Sequence, residues 1–510
     1  MTQSLHKPEP GGTTQAPGRW IALGVLVLAV LLVAVDATVL GLATPYLSED
    51  LQPSGTQLLW IGDAYSFVLA GLLISMGTLG DRIGRKRLLL IGATAFGLVS
   101  VLNAYAQTPE TMILARALLG VAGATLMPST LALIRNLFHD PRERSLAIGI
   151  WSAAASAGMA VGPIVGGVLL EHFWWGSVFL INLPVMALLV VVGFKMLPES
   201  RNPSPGPWDL PSVFLSLVGM VGVVYAVKET ASEGFAWLTL TAGVLGAVAL
   251  YAFVRRQRAL PVPLVDVRLF RNRGFSGAVL ANVLTILGLS GLLFFLAQYL
   301  QLVQDRRPIE AGIAELPAAA GAVVAGLIAG AAARRFSVRA VVSGGLAAIG
   351  LSLAALTTLS QTTGYPLIGT TLLVVGFGAG LSFTITSDII LTAVPKEQAG
   401  AASAVSETAY ELGTALGIAL LGSVVTNVYQ DFTGPAGTPE AAHESLAGAV
   451  VAAMQMPADT ASALLQAARE SFVDGVALAS GIGAGLLLLA SGVAWFLLRG
   501  QKLSSEPVQH

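Results

Sequence analysis

The chain has 510 residues, 55% of them hydrophobic and 11% charged, with a net charge of −1 and a mean hydropathy of +0.75. So little charge on so long a chain excludes an ordinary soluble protein, and a near-neutral balance argues against a nucleic-acid partner. There is no cysteine, which excludes disulfides and thiolate metal sites; the five histidines, His6, His139, His172, His443 and His510, fall in tails, loops or at helix ends.

Apolar stretches of roughly 20 residues recur along the chain, the length that crosses about 30 Å of hydrocarbon. A polar tail (1–19) comes first, and the apolar run after it is too long for a signal-peptide core, so it reads as an uncleaved span. The hydropathy pattern predicts fourteen helices, at 20–42, 57–79, 88–106, 110–133, 146–170, 177–197, 210–228, 237–254, 275–302, 312–332, 338–358, 366–393, 402–426 and 475–498. An even number puts both termini on one side. Among 28 Lys and Arg residues, only Lys228, Arg306, Arg307 and Arg469 fall in the opposite connections, and Arg116 lies inside a span. The positive-inside rule then places both termini in the cytoplasm.

Two basic or Pro-rich connections, "ESRNPSPGPWD" (199–209) and "RRQRALPVPLVDVRLFRNRG" (255–274), bracket helices seven and eight. Removing that pair leaves six helices on each side. The expected architecture is an all-α integral membrane protein: an N-terminal bundle (20–200), a linker carrying helices seven and eight (201–273), a C-terminal bundle (274–500) and a cytoplasmic tail (501–510). The one long external connection, 427–474, has helical spacing in "PEAAHESLAGAVVAAM" and "DTASALLQAARESF", which predicts a helical hairpin. Two readings of it stand, a lid over the transport path and an inert insertion.

The two six-helix sets repeat. Gly158, Gly162 and Gly167 of helix five, advanced by 255 residues, become Gly413, Gly417 and Gly422 of helix thirteen. Gly77, which opens "GTLGDRIGRKR", advanced by 253, becomes Gly330, which opens "GAAARRFSVR". The loop 77–87 resembles the signature loop of the major facilitator superfamily, and "LARALLGVAGA" (114–124) resembles its helix-four motif with a buried arginine. "GMAVGPIVGG" (158–167) is similar to its antiporter motif, and "DATVLGLATPYL" (36–47) to the first helix of fourteen-helix drug:proton antiporters. "PSGTQLLWIGDAYSFVLAGLLI", "WWGSVFLINLP" and "ETAYELGTALG" resemble exporters of quaternary ammonium compounds. The resemblance covers essentially the whole chain. It implies two pseudo-symmetric bundles and proton-driven efflux of lipophilic cationic drugs from a bacterial inner membrane, with no cofactor. A monomer in membrane lipid, partnered by drug and protons alone, is the expectation.

The acids inside the spans are the chemically informative residues, because a charge in hydrocarbon costs several kcal/mol. Asp36 lies about 24 Å along helix one at 1.5 Å per residue. Asp63 and Arg116 enter their helices from the outer side to a similar depth. A structural Asp–Arg pair and a proton site with Arg116 as its charge switch are both consistent with that placement. Glu407 and Glu411 share one face of helix thirteen near mid-membrane, with no Lys or Arg nearby in sequence. Such a carboxylate holds a proton or a cationic drug and gains little from holding both. Trp60, Tyr65, Tyr410 and Phe383 are candidate cation–π contacts. The competing role for Trp60 is an interfacial anchor and for Phe383 core or lipid contact. Helix ten has no acid in its middle; Glu315 lies toward its outer end, so monovalent cations are expected to be favoured over divalent ones. Asp388 reads first as a helix-end residue and second as an entry-gate acid.

Two readings of Gly77, Gly80, Asp81, Arg82, Gly84 and Arg85 stand: a conformational latch, which the family resemblance implies, and a basic turn that only fixes orientation. Asp81 can meet a helix N-terminus, and Arg82 and Arg85 can pair with acids across the bundle. The C-terminal counterpart has Arg334 where an aspartate would stand, so a weaker second latch is expected. Gly158, Gly162, Pro163, Gly166 and Gly167 allow tight packing and bending of helix five. No G-x-x-x-x-G-K-[ST] loop is present, so the energy source is an ion gradient. The alternatives are a narrower exporter of a metabolite or antibiotic and, more distantly, a membrane enzyme or a channel.

Overall fold

The computed structural model describes residues 18–501 except 54, 204–208, 234–235, 436–437, 440–441 and 444. The side chains of Asp63 and Pro163, and nearly all of both expected tails, lie outside the described residues. Among the described residues, fourteen helices are long and apolar enough to cross a membrane. They are α1 (Arg19–Leu51), α2 (Gly55–Ile83), α3 (Arg85–Ala104), α4 (Pro109–Leu137), α5 (Pro141–His172), α6 (Asn182–Met196, preceded by a turn at Ser177–Leu180), α7 (Leu210–Glu233) and α8 (Trp237–Ala259). Then come α9 (Arg273–Gln298, running on as a π turn through Val303), α10 (Pro308–Phe336), α11 (Val338–Ala355), α12 (Tyr365–Thr392), α13 (Ala399–Gln430) and α14 (Ala458–Leu497). Each matches one predicted span, and most are several residues longer. Hydropathy marks only the hydrocarbon-facing stretch, whereas caps such as Thr108 at α4 and Asp140 at α5 start helices beyond it.

Six helices form each bundle, and the repeat is visible in how they pack. Gly158 and Gly162 seat α5 on α1: a Cβ at Gly158 would lie 2.6 Å from the Leu31 carbonyl. Gly413 and Gly417 seat α13 on α9 in the same way, with a Cβ at Gly413 lying 2.6 Å from the Val283 carbonyl. Small residues thus bring helix backbones together where apolar burial supplies no drive between helices.

The α2–α3 turn at Gly84 has φ of 113°, and the Glu199 carboxylate fills the space a side chain would need. Glu199 accepts from the Lys86 and Arg87 amides, both at 3.2 Å, and so caps α3. Advancing Gly84 by 253 reaches Ser337, between α10 and α11, where φ is 91°. One repeat keeps the glycine that this backbone wants; the other holds a serine in the strained region.

Helix α7 lies against α2 and α13, on one seam between the bundles, and α8 packs on α7. Phe67 of α2, Met220 and Val224 of α7 and Ala415 of α13 are buried together there. The pair is tied at the end bearing the chain termini, where Arg256 makes two-pronged contacts of 2.8–3.2 Å with Asp209. Those hydrogen bonds hold the Asp209 carboxyl below its usual range. Gln257 donates to Ser212 and accepts from the Leu264 amide, both at 2.7 Å, which straps the second linker to the pair.

The segment 427–474 differs from the expected hairpin. Its first arm is a two-turn helix, Leu446–Ala453, but the second arm is not separate: α14 starts at Ala458 and continues unbroken into the membrane. The segment folds onto its own bundle, through the Tyr429 hydroxyl to Ala442 O (2.8 Å), the Phe432–His443 stack, and Arg469 to Leu302 O (2.8 Å).

Ser337→Gly removes the positive-φ strain of a non-glycine residue and is expected to stabilise the protein by about 1 kcal/mol. A rise in apparent Tm of the purified protein checks this; an unchanged or lower Tm would show that Ser337, whose side chain accepts from the Ala340 amide, gains more as a cap than it loses in strain.

Candidate functional site: buried acids and the closed end of the bundles

In the N-terminal bundle Asp36 is 3% exposed. One of its oxygens lies 3.3 Å from Arg116 of α4, and the other accepts from the Asn182 amide of α6 at 2.7 Å. Asn182 also donates to Ser100 of α3 at 3.1 Å. Arg116 donates to the Ile61 carbonyl of α2 (3.2 Å), and its guanidinium lies 4.9 Å over the Tyr65 ring. Five helices therefore converge on one ion pair, and a buried pair of this kind costs several kcal/mol to break from one side only. Asn182 and Ser100 were not singled out from sequence; a buried Asn in an apolar helix was the available signal.

The C-terminal bundle presents its acids on α13. Glu407 is 3% exposed, and its Oε1 has no hydrogen-bond partner in the structure. Glu411, one turn on, is half-buried. They share a stripe with Gly400 and Ala404, which meet Gly77 of α2, so this is the face that α13 turns toward the other bundle. Tyr410 crosses the interface, with its hydroxyl 3.9 Å from Met159 Sδ of α5. Its ring meets Phe383 edge-on at 5.9 Å, and Phe383 stacks on Trp151 of α5 at 6.2 Å and 5°. Trp151 is anchored by its indole N–H on Thr130 (3.0 Å). An aromatic chain from both bundles thus lies beside the acids. Trp60 is elsewhere: it is 41% exposed and stacks on Tyr225 of α7 at 6.2 Å, where it docks the inserted pair.

The bundles are clasped at the end bearing the termini. Asp81 accepts from the Gly400 (2.8 Å) and Ala401 (3.1 Å) amides in the first turn of α13, where unpaired N–H groups favour an anion. Arg85 binds Asp81 at 2.6 and 2.8 Å and the carbonyls of Lys396 (2.7 Å) and Glu397 (3.0 Å). The latch arginine therefore grips backbone across the interface rather than an acid. Arg82 faces a cavity of about 330 Å³ beside Asp81 and the second linker. Gly80 packs near Leu88 and Ser129. The first linker joins in, since Ser200 accepts from Arg85 at 2.6 Å and exchanges a backbone bond with it.

Asp388 is not a solvated helix end. It is 1% exposed and pairs at 2.6 Å with Arg144 of α5, on the other bundle. Arg135 of α4 donates to the carbonyls of Val394 and Pro395. Glycines close the rest: Gly77 lies against Gly400, Gly149 against Gly326, and Gly330 against Ser145. The Gly330–Ser145 contact is the repeat counterpart of Gly77–Gly400 and lacks its carboxylate. Glu315 sits apart from all of these, in a small cavity between α5, α9 and α10.

A sequence model described as Major Facilitator Superfamily matches residues 26–418. The chain belongs to the major facilitator superfamily. It is thus a transporter and not an enzyme. The multidrug efflux pump LfrA of Mycolicibacterium smegmatis is 47% identical over 493 residues, covering 96% of this chain and 98% of LfrA. The methyl viologen resistance protein SmvA of Salmonella typhimurium is 38% identical, covering 95% and 99%. The puromycin resistance protein pur8 of Streptomyces alboniger is 35% identical, covering 94% and 92%. A crystal structure of the human organic anion transporter MFSD10 shares the fold, with a TM-score of 0.62, 14% identity and coverage of 95% of this chain. These matches agree with the superfamily resemblance read from the loop 77–87 and helices four and five.

Because the chain lacks cysteine, a single engineered thiol reports which end is open. Asp388→Asn removes the charge that Arg144 meets across the interface, a loss of roughly 3–5 kcal/mol from the clasped state. Maleimide labelling of Ser145→Cys should rise sharply in that background, and exchanging the pair (Arg144→Asp with Asp388→Arg) should lower it again. Labelling indifferent to Asp388 would mean that the pair does not hold this end shut.

Proposed function

We propose that the protein exports lipophilic cationic drugs across a bacterial inner membrane in exchange for protons, by alternating access. One observation carries the proposal. Glu407 holds a buried carboxylate with no cation partner at the face where the bundles meet, one turn from the half-buried Glu411. A charge there is costly, and either a proton or an organic cation removes the cost. The two ligands compete for one group, which is the requirement for antiport. Tyr410 and Phe383 add aromatic surface for a desolvated cation. Names of relatives that speak of multidrug efflux and of methyl viologen resistance support the class of cargo.

The positive-inside reading makes the clasped end cytoplasmic, so the described state faces outward. Protons arriving from outside would displace the drug from Glu407 and Glu411. Asp36 would load a proton when Arg116 moves away and lose it when the pair re-forms. Return of the empty carrier then requires the Asp81–α13 and Arg144–Asp388 contacts to part, which exposes the acids to the cytoplasm and to the next cation. One charge crossing 100 mV releases about 2.3 kcal/mol. Two protons per monovalent cation would make the cycle electrogenic. Asp63 belongs to the same outer-half set by sequence.

A narrower exporter of an antibiotic is the second reading, favoured by relatives named for resistance to puromycin and for tetracenomycin C resistance and export. Ethidium or tetraphenylphosphonium transport separates the two.

In everted vesicles, proton-driven ethidium efflux should be abolished by Glu407→Gln or Glu411→Gln and cut at least tenfold by Asp36→Asn. Uphill transport surviving all three would end the proposal. Collapsing the membrane potential alone should slow monocation efflux; an unchanged rate contradicts the two-proton ratio.

A further inference from the structure

Of the ion pairs buried on both sides, Arg85–Asp81 and Arg144–Asp388 close to 2.6 Å, whereas Arg116–Asp36 stands at 3.3 Å. That is beyond the roughly 2.7–2.9 Å usual for a charge-assisted hydrogen bond. The pair is slack because the guanidinium is shared. It lies 4.9 Å over the Tyr65 ring, and its Nε donates at 3.2 Å to the carbonyl of Ile61, one turn before Tyr65 on α2. Asp36 has less freedom, since Asn182 holds its other oxygen at 2.7 Å. The Nε bond is therefore a pivot, about which the guanidinium can tilt toward Asp36 or toward the ring.

Sequence alone makes Tyr65 a candidate contact for cationic cargo, and the structure shows its ring already engaged by an internal cation. The residue is 4% exposed. Two glycines of α4 seat it: a Cβ at Gly120 would lie 2.5 Å from the Tyr65 carbonyl, and one at Gly123 would lie 3.0 Å from its hydroxyl. That hydroxyl is buried with no hydrogen-bond partner. It lies within the fields of Asp36, Arg116 and, from the other bundle, Glu411. Tyr65 is thus where the ion pair of the N-terminal bundle meets an acid of the C-terminal one. A cation drawn to Glu411 arrives beside a ring that already holds a guanidinium. Like charges repel, and one aromatic quadrupole cannot serve two cations as well as one.

We propose that the cargo cation and Arg116 compete for Tyr65, so that cargo arriving at the α2–α13 seam turns Arg116 onto Asp36 and expels the proton that Asp36 carries. This rests on the cation–proton antiport reading above and adds a link from cargo at Glu411 to a proton on the other bundle. The link has the sign that antiport needs. Without cargo, Arg116 rests on Tyr65, and Asp36 can stay neutral. With cargo in place, Arg116 has only Asp36 to turn to, and the acid must be ionised to receive it. Around Asp36 the described side chains offer no other charge: α6 presents Asn182, α3 presents Ser100, and α5 meets α1 through Gly158 and Gly162. Tyr65 then acts as a positioning residue for Arg116 rather than as a plain drug contact.

The test uses the purified full-length protein and tetraphenylphosphonium. Calorimetry reads affinity, and a pH indicator in weakly buffered detergent reads the protons released per bound cation. Tyr65→Leu should lower that release by roughly one proton at most, and Asp36→Asn should lower it by the same amount. Combining the two should lower it no further, because both act through one guanidinium. Tyr65→Phe keeps the ring and should restore most of the release. If Tyr65→Leu weakens binding while release per bound cation is unchanged, Tyr65 is an ordinary cargo contact and the exchange is overturned. Additive losses in the double variant overturn it as well. Where Tyr65→Leu does not fold, pentafluorophenylalanine at position 65 decides: it keeps the ring's shape without its attraction for cations, and should lose the same increment relative to Tyr65→Phe. A wild type that releases protons on binding, with Tyr65→Leu releasing as many, leaves antiport standing and removes only the exchange. A wild type that does not bind the cation, or binds it without releasing protons, removes the antiport reading and the exchange together.

Discussion

Asp81 at the N-terminus of α13 is the contact on which the described state hangs. The first turn of any helix leaves amide groups without intrahelical partners, and inside or near a membrane no water is at hand to satisfy them. Asp81, from the other bundle, takes two of them, at Gly400 and Ala401. Arg85 then neutralises the carboxylate and donates also to carbonyls just before α13 and to the Ser200 hydroxyl of the first linker. The groups satisfied by this contact belong to both bundles, so parting the bundles exposes all of them together. That makes the contact two-state: it is fully formed or absent, and a small sliding motion cannot be accommodated halfway.

Glycine makes such a contact reversible. Gly77 against Gly400 and Gly149 against Gly326 are backbone-on-backbone approaches with little side-chain interlock. Surfaces of that kind separate without rotamer changes, unlike an interdigitated core. The two halves are not equal. The α2–α13 seam has Asp81, Arg85 and the first linker behind it, and α7 packs across it; the α5–α10 seam has Ser145 against Gly330, with Arg144–Asp388 alongside. The two seams are therefore held unequally, one braced by α7 and the other by an ion pair between α5 and α12.

Hydropathy and charge bias are properties of the chain read in one dimension, and what they encode was legible: fourteen spans, the extra pair, the repeat, and the acids on α1 and α13. The partners of those charges were not. Arg144 and Asp388 are 244 residues apart, each looks like an ordinary helix-end charge, and only the packing of α5 on α12 makes them a buried pair. Arg116 was the easier case, because an arginine well inside a span must have an anion, and Asp36 was at matching depth. Trp60 misled for a related reason: its neighbours in sequence are at the acid-bearing helix, but its stacking partner, Tyr225, comes from the inserted pair. The second arm of the segment 427–474 also escaped. Helical spacing in 459–472 was visible, yet nothing local says whether a helix stops before the membrane or runs straight into it, and α14 runs on.

The unequal burial of Glu407 and Glu411 bears on coupling. Both lie on one stripe of α13, yet Glu407 is sealed beneath the face that meets α2, near the level of the Trp151–Phe383–Tyr410 chain, while Glu411 is half-buried. A carrier that exchanges two ligands must never expose one group to both sides, or the gradient leaks through it. The clasp and the aromatic chain meet that demand from below, because Glu407 reaches the terminal end only if Asp81 leaves α13. Under the proposed antiport, opening that end would hydrate Glu407, so that ionisation would no longer carry the cost of burial. Under the same antiport, a proton would be lost only in the state that can receive cargo.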